Sequence, residues 1–126
     1  SEISFAECLF TSCDFSLAKL SGTGFKTVKF KGCKLMGLHF EDCKPFLLAM
    51  EFETCLLNFS SFYRLRLKNT LFKTCRLEEV DFTEADLSGA IFDECDLSRA
   101  IFEQSVLEKC DFRMAYHFSI NPENNK

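Results

Sequence analysis

The chain has 126 residues, 47% of them hydrophobic and 27% charged, and its formal net charge is −4. This length fits one domain, and the apolar fraction excludes a disordered chain. The small negative charge argues against a general nucleic-acid binder, which needs a basic surface, and no stretch approaches the about 20 apolar residues of a membrane span. No signal-peptide pattern opens the chain, and its start at Ser1 instead of Met predicts processing or trimming.

A five-residue period runs along almost the whole chain. Starting at Phe5, every fifth residue is Phe or Leu as far as Phe40, and after one step of seven residues the spacing resumes at Leu47 and continues to Phe112. All 22 positions of this register hold Phe or Leu. Neither a helical period of 3.6 nor a strand period of 2 gives such a pattern, so we interpret it as a short structural repeat.

A second restricted position lies two residues before each Phe or Leu. It is filled almost entirely by small or apolar residues, beginning with Ile3, Cys8, Cys13 and Ala18. Residues two apart on an extended chain point to the same side, so we expect both restricted positions to face inward. The other three positions carry nearly all the charge and are expected to face water or form a corner.

The register slips by two residues in 41–46. Pro45 removes a strand donor, which suits a corner and not the middle of a wall. Two interpretations remain open at this point: a tolerated insertion, or a recognition bulge that presents Phe46 and Leu48.

The last residues depart from the pattern, because His117 occupies the next central position. We expect residues 1–114 to form the repeat domain and residues 115–126 to form a short irregular tail. In that tail, Tyr116, Phe118 and Ile120 would fold over the open end of the core. The ending at Lys126 predicts a longer native chain.

The repeat resembles the pentapeptide repeat family, whose loose consensus is Ala-Asp/Asn-Leu-X-X. The best local matches are Ala85-Asp86-Leu87-Ser88-Gly89 and Cys95-Asp96-Leu97-Ser98-Arg99, and the resemblance covers residues 3–112. It implies an all-β fold, a right-handed quadrilateral parallel β-helix (solenoid) with four pentads in each coil. The 22 pentads then give about five and a half coils, and at the spacing of about 4.8 Å between stacked strands the rod would be roughly 26 Å long.

Every fourth pentad falls on the same wall in this geometry. Two opposite walls then carry stacks of Phe, and two Leu stacks separate them, which fills a narrow interior at constant volume. The predicted aromatic core is Phe10, Phe30, Phe52, Phe72, Phe92 and Phe112 on one wall, and Phe40, Phe62, Phe82 and Phe102 on the opposite wall.

Eight cysteines would usually suggest disulfides or zinc. Five of them, Cys13, Cys33, Cys55, Cys75 and Cys95, fall on one wall, one per coil, two residues before the central residue. Stacked side chains point in parallel, whereas a disulfide needs closer β-carbons and zinc needs converging sulfurs. We predict buried free thiols that pack as small hydrophobes, which favours a reducing cytoplasm.

Charges are segregated along the chain. Residues 78–111 contain eleven acidic and two basic residues, whereas residues 19–34 and 64–76 contain five basic residues each and no acid. The acidic segment is either a solvated face or a surface that binds a partner. The candidate partner-binding residues are Glu78, Glu79, Asp81, Glu84, Asp86, Asp93, Glu94, Asp96 and Glu103.

Catalysis has little support in the sequence. His39 and His117 are far apart in the repeat, and no phosphate loop, metal spacing or Ser/His/Asp set is visible, so we expect no enzyme, cofactor or metal site. We interpret the chain as a rigid interaction or structural module whose protein partner is unidentified, with no direct contact to nucleic acid or membrane.

Two further expectations concern partners. Apolar residues at outward positions predict a partner surface or a homodimer: Leu56, Phe59, Tyr63, Leu71, Ile91 and Ile101. As an alternative function, the family resemblance implies a DNA mimic that binds DNA gyrase and topoisomerase IV and protects against quinolones. The modest net charge, the two basic bands and the lack of long loops depart from that group.

Overall fold

The computed structural model describes residues 3–43 and 50–117 and shows a stack of short parallel strands. Their bounds are β1 Ile3–Ala6, β2 Leu9–Thr11, β3 Thr23–Lys26, β4 Val28–Lys31, β5 Met50–Glu53, β6 Leu71–Lys73 and β7 Ile91–Asp93. A three-residue 3-10 turn at Phe40–Asp42 is the helical element of the described part, and no described helix has the length and apolarity to cross a bilayer.

The strands pair in parallel at one full turn of the coil. β2, β4, β5, β6 and β7 form a five-stranded sheet, and β1 pairs with β3. Phe10 pairs with Phe30 and Phe52 pairs with Phe72, in both cases four pentads further along the chain. Phe30 pairs with Phe52, which lies four pentads and the two added residues further on. Four pentads therefore make one coil, and the slip widens a single coil, as predicted. Residues 44–49, which include Pro45, Phe46 and Leu48, lie outside the described residues.

Four walls follow from the pairing. Wall 1 is the five-stranded sheet, extended by a bridge from Ile91 to Asp111. Wall 4 contains β1 and β3 and, further along, a short ladder. The remaining ladders consist of single bridges: wall 2 has Asp14, Lys34, Leu56, Arg76, Asp96 and Tyr116; wall 3 has His39, Ser61, Asp81 and Ile101; wall 4 has Arg66, Asp86 and Val106. The predicted all-β solenoid is confirmed, but its five sheet strands enclose four complete turns, slightly fewer than the five and a half coils expected.

The corners share one backbone conformation. In every described pentad except that of Phe40, the residue two positions after the central Phe or Leu has a positive φ, between +52° and +76°. Many of these turns, most of them on walls 2, 3 and 4, close with a hydrogen bond from the amide three residues on, as from Ser60 to the carbonyl of Leu57 (3.1 Å). This combination is a type II turn. The positive-φ corner residues are Glu7, Ser12, Leu17, Gly22, Thr27, Gly32, Gly37, Thr54, Phe59, Arg64, Asn69, Thr74, Glu79, Glu84, Gly89, Glu94, Arg99, Gln104, Lys109 and Met114.

The core contains the two Phe stacks that the period predicts. Successive rings on wall 1 are 4.9–5.4 Å apart between centroids from Phe10 to Phe112, and Phe40, Phe62, Phe82 and Phe102 stack on wall 3 at 4.6–5.4 Å. Contrary to the expectation, Leu side chains do not separate the two stacks in the described coils. The rings meet edge to face, as Phe62 and Phe72 do at 5.9 Å, because the coil is narrow enough for opposite walls to touch. The Leu side chains of walls 2 and 4 flank this seam.

The ends of the stack are less well covered than its middle. Phe10, Cys13 and Phe112 are half-buried, while the other predicted core residues are buried. The ladder continues beyond the boundary expected at residue 114, because Tyr116 bridges Asp96. Tyr116 itself is exposed, so within the described residues it does not cover the core, and Phe118 and Ile120 lie outside the described part.

Candidate functional site

Aspartates that directly precede a central residue are part of the turns, and four of the five in the described residues lie in the acidic segment. Each one that precedes a central residue accepts a hydrogen bond on Oδ1 from the backbone amide two residues on: Asp14 from Ser16, Asp81 from Thr83, Asp86 from Ser88, Asp96 from Ser98 and Asp111 from Arg113, at 2.8–3.0 Å. A carboxylate in this position mimics a backbone turn and orders the corner. These residues therefore have a structural role that does not require a partner.

Hydrogen bonding stabilises the charged form of these carboxylates. Partial burial opposes ionisation of Asp86, but hydrogen bonds from the hydroxyl and the amide of Ser88 outweigh it and lower the pKa of Asp86. The same balance, with Ser98 as donor, lowers the pKa of Asp96. The pKa of Asp14 is lowered mainly by the Ser16 amide, and that of Asp111 mainly by the Arg113 side chain.

Several glutamates of the segment are paired with arginines from neighbouring coils. Arg99 Nη2 lies 3.0 Å from Glu78 and 3.6 Å from Glu79. Glu84 lies 3.4 Å from Arg64 and accepts a hydrogen bond from the hydroxyl of Tyr63 (3.3 Å). Such exposed pairs are each worth at most about 1 kcal/mol, but they neutralise part of the acidic charge.

The nine predicted partner-binding acids are not brought together on one surface. Asp93 lies at the end of β7 on wall 1, Asp96 on wall 2, Asp81 on wall 3 and Asp86 on wall 4. Three of the nine order turns, namely Asp81, Asp86 and Asp96. Three form ion pairs, namely Glu78, Glu79 and Glu84. Asp93, Glu94 and Glu103 have other environments. The acids encircle the C-terminal coils because successive pentads turn the chain through successive walls.

A Ser/His/Asp contact exists that the sequence did not reveal. Ser98 Oγ lies 3.1 Å from His117 Nδ1, and the same nitrogen lies 3.3 Å from Asp96 Oδ1. Ser98 Oγ also donates to Asp96 (2.6 Å). A catalytic triad needs the serine and the carboxylate on opposite ring nitrogens, so this arrangement cannot relay a proton through the imidazole. The contact was missed, although four pentads per coil place His117 one turn beyond Leu97 and so beside Asp96 and Ser98.

The cysteine column forms as predicted on wall 2. All eight cysteines are free thiols, and Cys33, Cys55, Cys75 and Cys95 are at most 1% exposed. Three of the sulfurs donate to a carbonyl of the preceding coil: Cys33 to Phe10, Cys55 to Phe30 and Cys95 to Phe72, at 3.1–3.3 Å. On other walls Ser60 and Ser105 make the same bond at 2.6 and 2.7 Å. The position two before the centre is therefore a site for a small hydrogen-bond donor, a role that the pattern of small or apolar residues does not indicate.

Neighbouring thiols in the column affect each other. A hydrogen bond from Cys75 lowers the pKa of Cys55 to about 7, and hydrogen bonds to both of its neighbours raise the pKa of Cys75. Outside the column, burial raises the pKa values of Cys43 and Cys110 to about 12.

The exposed apolar residues differ in part from the predicted set. Phe59 and Ile101 are exposed, whereas Leu56, Tyr63, Leu71 and Ile91 are half-buried. The sequence did not single out Leu9, Leu17 or Met114, which are 61–79% exposed, and Tyr116, which was expected to cover the core, is 46% exposed. Leu17 and Met114 were missed because they occupy corner positions that tolerate any residue type.

Leu17 and Phe59 share one corner, between walls 2 and 3. Gly37 lies between them in the intervening coil, and Leu17 Cδ2 covers it, 2.8 Å from the place where a β-carbon of Gly37 would be. The corners are held in step by amide-to-carbonyl bonds from Leu17 to Met36 and from Gly37 to Asn58, both 3.0 Å. We call Leu17, Gly37 and Phe59 the apolar ridge.

These features define a class of protein, a parallel β-solenoid with four five-residue repeats per coil and variable side chains at its corners. The sequence profile of the pentapeptide repeat region matches residues 3–82 and 46–116, and the chain belongs to the pentapeptide repeat family. No curated protein sequence matches it.

Solved structures of pentapeptide repeat proteins are similar to this chain. Rfr23 from the cyanobacterium Cyanothece 51142 has a TM-score of 0.52 at 15% identity, over 90% of this chain and 84% of Rfr23, which shows the shared fold. HetL from Nostoc sp. strain PCC 7120, involved in heterocyst differentiation regulation, has a TM-score of 0.46 at 19% identity, over 93% of this chain and 62% of HetL. QnrB1, a plasmid-mediated fluoroquinolone resistance protein, has a TM-score of 0.32 at 19% identity, over 100% of this chain and 89% of QnrB1.

Proposed function

We propose that this chain is a non-catalytic module that binds a protein partner along the apolar ridge. The observation that carries the proposal is the exposure of two large apolar side chains on one edge, 79% for Leu17 and 53% for Phe59. The two lie two coils apart, about 10 Å at the spacing of stacked strands, with only Gly37 between them. Aromatic side chains such as Phe59 are enriched at the centre of protein interfaces.

The ridge differs from the other corners of the solenoid. Among the described corners, the same repeat position otherwise holds glycine or a polar residue, except for Met114. A solenoid gains nothing from exposing apolar groups, so a continuous apolar edge is explained by a covering partner. Half-buried Met36 lies in the turn beside Gly37 and broadens the surface. Exposed Lys34 and Arg76 on wall 2 supply a polar margin.

The rigidity of the coils supports this role. Each corner is fixed by hydrogen bonds to the next coil, so the ridge is presented without much loss of conformational entropy on binding. A catalytic role has no comparable support, since the Ser98, His117 and Asp96 contact is exposed and uses one ring nitrogen for both partners. Buried free thiols favour a cytoplasmic location.

The alternative of a gyrase-binding DNA mimic is not favoured. An imitation of duplex DNA requires acids arranged along a face, whereas the acids here encircle the coils. Arg64 and Arg99 neutralise three of them. The basic residues of the earlier coils would also repel a surface that normally binds DNA.

A capture experiment with paired variants tests the proposal. Leu17→Ser combined with Phe59→Ser removes the ridge, and Leu9→Ser combined with Met114→Ser removes equally exposed apolar groups from other faces. We expect wild type and the second variant to retain one specific protein from a lysate of the source cells, and the ridge variant to lose it. Sedimentation of the three proteins identifies the case in which the partner is a second copy. Equal capture and equal assembly state in all three proteins would refute the proposal.

A further inference from the structure

A cavity lies inside the first coil of the solenoid, which contains residues 5–24. Its volume is about 170 Å³, and its floor consists of side chains that are at most 2% exposed, namely Phe30, Leu35, Leu38 and Phe40. The half-buried rings of Phe5, Phe10 and Phe15 also line it. Of the described lining residues, all but Lys19 and Thr23 are apolar. An apolar cavity of about 150 Å³ accepts benzene, so this one has room for a single aromatic ring.

The cavity exists because wall 3 begins without a Phe. In later coils each wall 3 ring meets two rings of wall 1 edge to face, as Phe62 does at 5.9 and 6.0 Å. In the first coil Leu20 occupies the place that Phe40 holds one coil later, and Ala18 occupies the place of Leu38. Both replacements are smaller, so the first coil lacks side-chain volume on the side of wall 3.

Wall 3 is also open beside the cavity. In later coils a ladder of hydrogen bonds closes this wall, as from the amide of Ser61 to the carbonyl of Leu38 (2.8 Å). Within the described residues the ladder ends at His39, whose carbonyl accepts instead from the amide of Asp42 in the 3-10 turn (3.1 Å). No ladder bond joins residues 18–20 to this coil, and the first two of them are exposed. The cavity can therefore be reached from solvent between the first and second coils.

The mouth of the cavity carries polar groups on one side. Exposed Lys19 and half-buried Thr23 flank the corner that follows Leu20, and both line the cavity. Residues 19–34 contain five basic residues and no acid, so the potential at the mouth favours an anion. Inside, the edges and faces of Phe rings favour an aromatic guest, as they favour one another in the core. An aromatic ring joined to a carboxylate satisfies both parts of the site.

We propose that the cavity binds a small aromatic carboxylic acid as its anion. The ring lies among Phe15, Phe30 and Leu20, and the carboxylate accepts hydrogen bonds from the ammonium of Lys19 and the hydroxyl of Thr23 at the mouth. The association is noncovalent. This site goes beyond the proposed function, because it lies inside the first coil whereas the apolar ridge faces outward.

The test uses one variant that fills the cavity and two that remove a charge. Ala18→Leu combined with Leu20→Phe copies the pair Leu38 and Phe40 of the second coil, so this filled variant carries side chains that the fold already accepts at these positions. Lys19→Met removes the ammonium but keeps an unbranched side chain. Lys26→Met is its matched control, since Lys26 is an exposed lysine of the neighbouring corner that does not line the cavity.

The probes are phenylacetate and its neutral analogue phenylacetamide, titrated by calorimetry and compared by thermal melting. We expect wild type to bind one phenylacetate and to melt at a higher temperature with it. The filled variant should melt higher than wild type without ligand and should show no saturable binding. Lys19→Met should bind phenylacetate about fivefold more weakly, the effect of one exposed ion pair, and phenylacetamide as wild type does. Lys26→Met should bind both ligands as wild type does.

Nuclear Overhauser effects locate the ligand in wild-type protein without any variant. We expect cross-peaks from the phenylacetate ring to the rings of Phe15 and Phe30. Lack of saturable binding by wild type, cross-peaks only to rings outside the first two coils, or undiminished binding by the folded filled variant would each overturn the proposal. Equal phenylacetate affinity of Lys19→Met and Lys26→Met would overturn it as well, because the carboxylate would then have no partner at the mouth.

Discussion

The ring of Phe72 lies parallel to that of Phe92, with 4.9 Å between centroids and 6° between planes, although four pentads separate them in the chain. The same Phe72 ring meets Phe82 of the opposite wall edge to face at 6.0 Å. Each central Phe thus contacts its own stack and the facing stack. Aromatic pairs of this geometry add about 0.5–1.5 kcal/mol to the burial of their area.

Removing one ring from the middle of the stack is expected to destabilise the protein strongly. Phe72→Ala should lower the free energy of unfolding by about 3–5 kcal/mol, because a fully buried ring leaves a cavity. Phe112→Ala should cost about half as much, since Phe112 is half-buried at the end. Urea unfolding measures both values. Equal losses of unfolding free energy in the two variants would contradict the finding that the core rings are less buried toward the end of the solenoid.

The positive φ at the corners predicts opposite effects for one substitution at two positions. Thr74 has φ +52°, which costs a β-branched residue about 1–2 kcal/mol, so Thr74→Gly should stabilise the protein by up to about 1 kcal/mol. Thr83, one position earlier in its pentad, does not have a positive φ, and Thr83→Gly should destabilise by about 0.5–1 kcal/mol. Thermal unfolding compares the two, and a change of the same sign in both would argue against the turn assignment.

The turn aspartates predict a dependence of stability on pH. The pKa of Asp86 in the folded protein lies below its ordinary value of 3.8, so its contribution is present above that value and is lost as the pH falls through the lower folded pKa. Asp86→Ala should cost about 1 kcal/mol at pH 7, whereas Asp86→Asn keeps an oxygen acceptor for the Ser88 amide and should cost less. Between pH 4 and pH 2 the difference between wild type and Asp86→Asn should shrink. A difference that stays constant over this range would show that the charge of Asp86 has no role in folding.

Thiol modification should proceed in a defined order. Cys8 and Cys13 are half-buried and should react first at pH 8, while Cys110 should react more slowly because burial raises its pKa to about 12. The five buried cysteines should react only on unfolding, including Cys55 despite its lower pKa, since access limits the rate. Mass spectrometry after timed alkylation gives the order. Early modification of Cys75 or Cys95, or fewer than eight reactive thiols in denaturant, would contradict the structure.

The sequence predicted the walls, the two Phe stacks and the cysteine column, because a strict period determines which residues face inward. It did not predict the positive φ at the corners, since Phe59, Arg64 and Thr74 share no chemistry that marks a left-handed residue. The coils impose that conformation through bonds such as that from the Phe59 amide to the carbonyl of Glu78 (2.9 Å). Hydrogen bonding between coils here outweighs the preference of these residues for a negative φ.

The site was less predictable than the fold. Acidic composition suggested one partner surface, but composition does not say that Asp81 and Asp86 each accept a bond from their own turn or that they lie on different walls. Leu17 and Phe59 are far apart in the sequence, on either side of the register slip. Their common edge follows once Phe30 and Phe52 are placed on one wall across the slip, but the period does not predict that both side chains are exposed.

Nuclear Overhauser effects in solution test the central claim most directly, which is that a period of five winds the chain into coils of four pentads. The structure predicts cross-peaks between the rings of Phe52 and Phe72, whose centroids are 5.2 Å apart. It also predicts cross-peaks across the widened coil, between Phe30 and Phe52, whose centroids are 5.4 Å apart. Absence of these cross-peaks, with contacts between residues three and four positions apart in their place, would contradict the claim.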